Sequence, residues 1–279
     1  MQLIADSGST KVDWRAIYDD GTVKSISTEG INPVFHNPDT ITNILRVKLL
    51  YELGPDVEEI YFYGAGVVSA NIKEVLSHCF KMVFPKSVCY AESDVLAAAR
   101  ALCGRQSGIA CILGTGSNSC FYDGKNIVKN VRAGGFILGD EASGAYLGKR
   151  LISDFIKGLL PKDLEDDFQK RYKLDYGKIV DIVYKQQLPS TFLASFSPFL
   201  NEYRENLYIA NLLRSSFSEF FNRNIYQYDY MNYPIGFVGS IAYYFKDFLN
   251  EVAESKEMRI GKILKAPIDG LTDYHKGLI

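Results

Sequence analysis

Three short stretches combine glycine with hydroxyl side chains where an apolar run ends: ADSGSTK (residues 5–11), LGTGSNS (Leu113–Ser119) and GFVGSIA (Gly236–Ala242). Glycine lets backbone N–H groups approach an anion closely, and short hydroxyls add donors, so these residue types suit phosphate. In the first stretch Ser7, Ser9 and Thr10 surround Gly8, Lys11 follows, and Asp6 at the strand end is placed to hold magnesium through water. The GxxxxGK[ST] spacing of a Walker loop is absent, because Lys11 comes after the hydroxyls. In the second stretch Gly114, Thr115 and Gly116 make the turn, and Ser117 and Asn118 follow it. In the third, Gly239 stands at a strand-to-helix junction, a place suited to nucleotide contact. Gly and Ser also make ordinary hairpin turns, so the first stretch alone leaves both readings open.

Acids and amides with chemical potential lie outside these turns. Asp94 in AESDVLAAA reads either as a catalytic acid or, with Ser93, as the N-cap of an Ala-rich helix. Glu92 is a weaker candidate for the same work. Asn32 in GINP is a ligand or a plain loop residue before Pro33. Asp140 and Glu141 in GGFILGDEASGA also suit a helix N-terminus, where a negative charge contributes a few tenths to about 1 kcal/mol.

The elements that must position these residues follow from patterning. QLIAD, KVDWRAIYD and TVKSIST read as three short strands joined by turns, the second at Asp19–Gly21. A helix follows, with Asp39 or Thr40 as its cap and Gly54-Pro55 as its stop. EEIYFYGAG is a strand, NIKEVLSHCFKMVF a helix, SVCYAES a strand, and DVLAAARALCG a helix ending at Gly104, giving the order βββαβαβα. The pattern then restarts: residues 108–135 repeat the first thirty, with Gly8 and Gly116 in equivalent places and DG turns at Asp20-Gly21 and Asp123-Gly124. The remainder reads as mainly helical with one late strand. The expected division is residues 1–105 and 106–279, the latter with helical additions and a last helix free to pack back on the first domain.

The bulk composition narrows the functions. With 279 residues, 47% hydrophobic and 23% charged, the chain is a globular protein with a substantial core. A net charge of −2 offers no electrostatic footprint for nucleic acid. No apolar run is long enough for a membrane span, and the start carries no secretory signal. Five widely spaced cysteines without a CxxC pair, and only three histidines, fit small apolar residues in a reducing cytoplasm rather than a disulfide or zinc framework.

The three glycine turns in this order resemble the sugar kinase/Hsp70/actin superfamily, and more closely the N-acetylglucosamine kinases and the related BadF/BadG/BcrA/BcrD-type ATPase family. The resemblance spans nearly the whole chain. ADSGSTK is similar to that family's first phosphate motif, LGTGSNS to its second, VGSIA to its adenosine motif and GGFILGDEASGA to its GDE segment. It implies an α/β fold of two ribonuclease-H-like domains, a duplicated βββαβαβα, in an actin-like ATPase arrangement with an interdomain cleft. It further implies ATP and magnesium, a small-molecule sugar as substrate, and a homodimer as the family habit. Asp94 matches the catalytic base that deprotonates a sugar hydroxyl. Thr10 and Thr115 match ATP contacts; Asn32, Ser117, Asn118 and Asp140 match substrate contacts. Gly134-Gly135 stand where the kinases carry Trp-Gly beside the sugar, and Ser240 stands where many members carry a second glycine. The activity implied is phosphotransfer to an amino sugar. The alternatives are a kinase of a muramic acid derivative, an ATPase activating a partner enzyme, and a sugar-sensing regulator.

Overall fold

The computed structural model describes residues 1–8 and 11–279. Those residues divide into two compact units, one of residues 1–106, 124–126 and 267–279, the other of 107–123 and 127–266.

In the first unit β1 (Gln2–Ser7), β2 (Lys11–Ile17) and β3 (Val23–Glu29) form an antiparallel meander. The Gly and DG turns explain that topology, because connections of two to five residues join antiparallel neighbours. Helix α1 (Pro38–Ile44) runs on through a wider π-type segment, Leu45–Leu50, into α2 (Tyr51–Leu53), which ends at Gly54. Its cap is Asn37 rather than the expected Asp39 or Thr40: the Asn37 side chain accepts from the Thr40 N–H, and Pro38 takes the first helical position, where it needs no N–H. Then come β4 (Glu59–Gly64), α3 (Ala70–Val83), β5 (Val88–Ser93) and α4 (Asp94–Cys103). α3 buries Leu76, Cys79, Phe80 and Val83, spaced along one helical face. Their core centres on Trp14, whose ring lies 6.2 Å from those of Phe62 and Phe80. The sheet order is β3-β2-β1-β4-β5, with β1, β4 and β5 parallel. Helix α14 (Ile268–His275) belongs to this unit. It packs on α4 so closely that a Cβ at Gly270 would meet the Ala101 carbonyl oxygen at 2.7 Å.

The second unit repeats the plan with a long insertion. Strands β6 (Ser107–Leu113), β7 (Ser117–Asp123) and β8 (Ile127–Val131) form the same meander. Seven helices then precede the next strand: α5 (Gly135–Leu138), α6 (Gly144–Ile156), α7 (Lys162–Tyr172), α8 (Tyr176–Lys185), α9 (Pro189–Ala194), α10 (Ser197–Glu202) and α11 (Leu207–Arg223). After them come β9 (Ile235–Val238), α12 (Ser240–Tyr244), α13 (Lys246–Glu254) and β10 (Ile260–Leu264). Read from β8, the sheet order is β8-β7-β6-β9-β10, the topology of the first sheet strand for strand. The half therefore has two late strands where one was expected. β10 escaped the pattern because it is an edge strand with Gly261 and Lys262 at its centre and no alternation of buried and exposed residues.

The expected α/β class and duplication are thus those of the molecule. No helix among the described residues is long and apolar enough to cross a membrane.

Candidate functional site

Parallel pairing in the first unit sets Ser7, Gly64 and Ser93 side by side at the C-terminal edge of β1, β4 and β5. Open α/β sheets bind ligands beyond that edge. The hydroxyl of Ser7 donates to the Ile31 carbonyl at 2.7 Å, which ties the loop of Asn32 to the end of β1. Asn32 is buried; its Oδ1 accepts from the Val34 N–H at 3.0 Å and lies where a side chain on Gly66 would clash. Asn32 therefore shapes its own loop, which the Ser7–Ile31 bond holds at the end of β1.

Three carboxylates share an electrostatic field here. Asp6 and Asp13 stand opposite each other in the β1–β2 register. Burial first, then the charges of Asp13 and Asp94, push the Asp6 carboxyl up to about 7, against the pull of Lys11. Lys11 forms an ion pair with Asp13 at 2.7 Å, so its ammonium is engaged within the acid cluster. A divalent cation would relieve the desolvation and repulsion at Asp6, so these residues fit magnesium. Among the described residues no group of three or more His, Cys, Asp or Glu could hold a metal by itself, so the ion would need phosphate oxygens and water as its other ligands. The N–H of Gly8 donates to the Lys11 carbonyl at 2.9 Å. Ser9 and Thr10, expected to contact phosphate, lie outside the described residues.

Asp94 is the first residue of α4, and the cap is Ser93, whose Oγ accepts from the Leu96 N–H at 3.3 Å. Of the two readings of the Ser93-Asp94 pair, capping thus belongs to Ser93, and the Asp94 carboxylate accepts the neighbouring Val95 N–H at 2.9 Å. Burial pushes the Asp94 carboxyl above the usual range, opposed by the Val95 bond and its own N–H. Glu92 is paired to Lys73 at 2.7 Å, and both line a cavity of about 400 Å³ with Val67, Ser69 and Ser93.

In the second unit the Gly114–Gly116 turn is locked from several sides. The first N–H groups of α6 take its carbonyls: Gly144 donates to Gly114 at 2.8 Å and Ala145 to Thr115 at 3.0 Å. Carbonyl oxygens that would repel an anion are thereby occupied. The β9–α12 junction presses on the same turn, since a Cβ at Gly239 (φ +127°) would fall 2.2 Å from the Leu113 carbonyl oxygen. Gly239 must therefore lack a side chain, and two motifs far apart in sequence meet here. Asp140 lies over the turn: its Oδ1 accepts from the Ser117 N–H at 3.3 Å, and its Oδ2 would be 3.0 Å from a Cβ on Gly116. Its left-handed backbone (φ 53°) is held by bonds from its N–H to Ala133 and from the Ser143 N–H to its carbonyl, both 3.0 Å. Burial pushes its carboxyl up, helped by Glu141 and opposed by Ser117 and Lys149.

Glu141 is committed to Arg223 at 2.9 Å and to Asn224 at 3.3 Å. Strand alternation turns Asn118 away from Ser117 and Ser119, and its Oδ1 accepts from Asn130 at 2.8 Å. Gly134 and Gly135 have left-handed φ of 77° and 70°, at the start of a helix that exposes Ile137 and Leu138. A cavity of about 600 Å³ opens from Gly114 and Thr115 and runs along α10 and α12. Asp13 and the α10 wall were not singled out by sequence reasoning; the first is visible only through hairpin register, the second only through tertiary packing.

Two units of one topology, each with a glycine turn after its first strand and parallel strands ending beside it, define an actin-like ATPase fold of the sugar-kinase class. The chain is 38% identical to a candidate N-acetylglucosamine kinase from Porphyromonas gingivalis, with a TM-score of 0.94 and 99% of each chain covered. It belongs to that N-acetylglucosamine kinase-like family. A candidate N-acetylglucosamine kinase from Chromobacterium violaceum shares the fold at 18% identity and a TM-score of 0.75, covering 98% of each chain. A candidate N-acetylmannosamine kinase from Listeria monocytogenes shares it at 15% identity and a TM-score of 0.52, covering 99% of this chain and 98% of that one. No family model and no curated protein matches the sequence.

Proposed function

We propose that the chain is an ATP-dependent kinase of an N-acetylated hexosamine, with N-acetylglucosamine as the first acceptor to test. One observation carries this reading: Asp94 is relieved of capping by Ser93 and raised in basicity by burial, and it stands at the ligand-binding edge of the sheet. A general base with a raised pKa draws a proton from a hydroxyl more effectively at neutral pH. The likeness to a candidate N-acetylglucosamine kinase at 38% identity supports the acceptor class.

Magnesium ATP supplies the phosphoryl group and neutralises its charge when bound. Asp94 orients the acceptor hydroxyl and takes its proton onto a carboxylate oxygen. Asn32, on the loop tied to β1, positions the acceptor on the same side. Asp6 would hold the magnesium through water, and the backbone of Gly114, Thr115 and Gly116 would receive the phosphates. Because the phosphoryl transition state is loose, these residues act by positioning and charge stabilisation rather than by covalent chemistry. A muramic acid derivative is the second acceptor to test, because Gly134 and Gly135 leave their stretch of wall without side chains.

The test is ADP release from magnesium ATP across a panel of hexosamines. Turnover that depends on one N-acetylated sugar supports the reading. Equal turnover without sugar replaces it with a plain ATPase, and no turnover with any sugar overturns it.

A further inference from the structure

The helical insertion of the second unit holds a groove that shares no lining residue with the cavity at the glycine turn. It encloses about 430 Å³ between α5, α6, α8 and α9. On α6 the lining residues Lys149, Ile152 and Ile156 fall at i, i+3 and i+7; on α8 Tyr176, Val180 and Val183 fall at i, i+4 and i+7. Such spacing marks a helix face made to pack on something. On α8 Ile179 is buried, yet Tyr176 and Tyr184 stand 68% and 80% exposed along the groove. Ile137, 72% exposed, adds to the wall from α5. Apolar side chains gathered in this way, rather than scattered, mark a surface with an occupant.

Lys149 is the cation of the groove. It is half-buried, and its ammonium donates at 2.8 Å to the carbonyl of Phe136, another lining residue, with the centre of the Tyr146 ring 5.3 Å away. Among the described residues it forms no ion pair, and the acid whose charge it tempers, Asp140, accepts from the Ser117 N–H instead. The carbonyl takes one ammonium proton and leaves two for a ligand. A half-buried charge without a counter-ion favours an anion beside it. From Lys149 to Ile156 the α6 wall rises about 10 Å. One positive charge at the head of an aliphatic wall of that length matches a monoanion with an unbranched apolar tail. A phosphomonoester, with nearly two negative charges, would keep one of them unmatched.

We propose that the groove between α5, α6 and α8 binds a medium-chain carboxylate, its head on the Lys149 ammonium and its tail along Ile152, Ile156 and Val180.

The experiment is calorimetric titration of the full chain with octanoate, hexanoate and octanol at neutral pH. Octanoate is expected to bind at least about tenfold more tightly than octanol, the factor that one charge-assisted hydrogen bond supplies. Hexanoate, with a shorter tail, should bind about tenfold more weakly than octanoate. Lys149→Met keeps an apolar stem and should bring octanoate down to the level of octanol. Val180→Glu, a helix-compatible change on the α8 wall, should weaken octanoate and octanol alike by at least about tenfold. Octanol binding as tightly as octanoate overturns the inference, as does full octanoate binding in either variant or failure of octanoate to bind wild type. Self-association of wild type that Val180→Glu abolishes, with octanoate unbound, overturns it too and assigns the groove to a second copy of the chain.

Discussion

At the scale of single residues, the chemistry turns on what neighbours leave a carboxylate free to do. Glu92 and Glu141 have cations at 2.7 and 2.9 Å and are spent on them. Among the described residues Asp94 has no such partner and accepts backbone N–H groups, and burial shifts it toward the protonated form. Asp94→Asn keeps the size of the side chain and an oxygen for the Val95 N–H while removing the base. Sugar-dependent turnover is expected to fall by about 10²–10⁴, the contribution typical of a positioned base. The affinity for ADP, measured by titration, should stay within about twofold. Turnover close to wild type would show that another group takes the proton. The residues alone favour the cap, because Ser-Asp before an Ala-rich run is an ordinary helix start, and the family resemblance favours the base. Only the Ser93–Leu96 bond separates them. Asp13 could not be read at all, since its opposition to Asp6 follows from strand register rather than from spacing.

At the scale of elements, α14 shows how a terminal helix is fixed. The Tyr63 hydroxyl and His275 Nε2 share a hydrogen bond at 2.9 Å, and that hydroxyl accepts from Arg100 at 2.6 Å. Burial first, then Arg100 and Arg105, push the His275 pKa down to about 4. The unfolded chain binds this proton near pH 6.5 and the folded chain only near pH 4. The contribution to stability is therefore complete above about 6.5 and is lost as pH falls between those values. By pH 4.5 the loss should reach about 2–3 kcal/mol. Raised acids such as Asp94 act in the opposite sense, so the measure is the difference in urea unfolding between wild type and His275→Gln, which keeps a hydrogen-bonding group for Tyr63. That difference should shrink from pH 7 to pH 4.5; a constant difference would remove His275 from the pH dependence. The meander strands and α3 were legible because turn chemistry and apolar period are local signals. β10 was not, because an edge strand needs little burial and shows little pattern.

At the scale of the whole molecule, the two sheets share one topology, yet the proposed chemistry is divided between the copies. The duplication could be read from the paired glycine turns at Gly8 and Gly116, whereas the seven helices between β8 and β9 hid the rest of the second copy by breaking its spacing. Asp94 follows the fifth strand of the first sheet; the corresponding place after β10 holds Lys265 and no acid. The closed turn, the Gly239 junction and the large cavity all belong to the second unit. The proposed base and the loop of Asn32 belong to the first. Hydrogen exchange should report this division. Magnesium ADP alone should slow amides in 114–117, 195–201 and 239–245, by up to about a hundredfold at a hundred times its Kd. The acceptor sugar alone should slow those in 31–36, 64–69 and 92–95. Protection of 31–36 by ADP as strong as that of 114–117 would place the nucleotide on the first unit and reverse the assignment. Protection of 195–201 by ADP without any at 31–36 would instead keep nucleotide and acceptor recognition on separate copies of one fold.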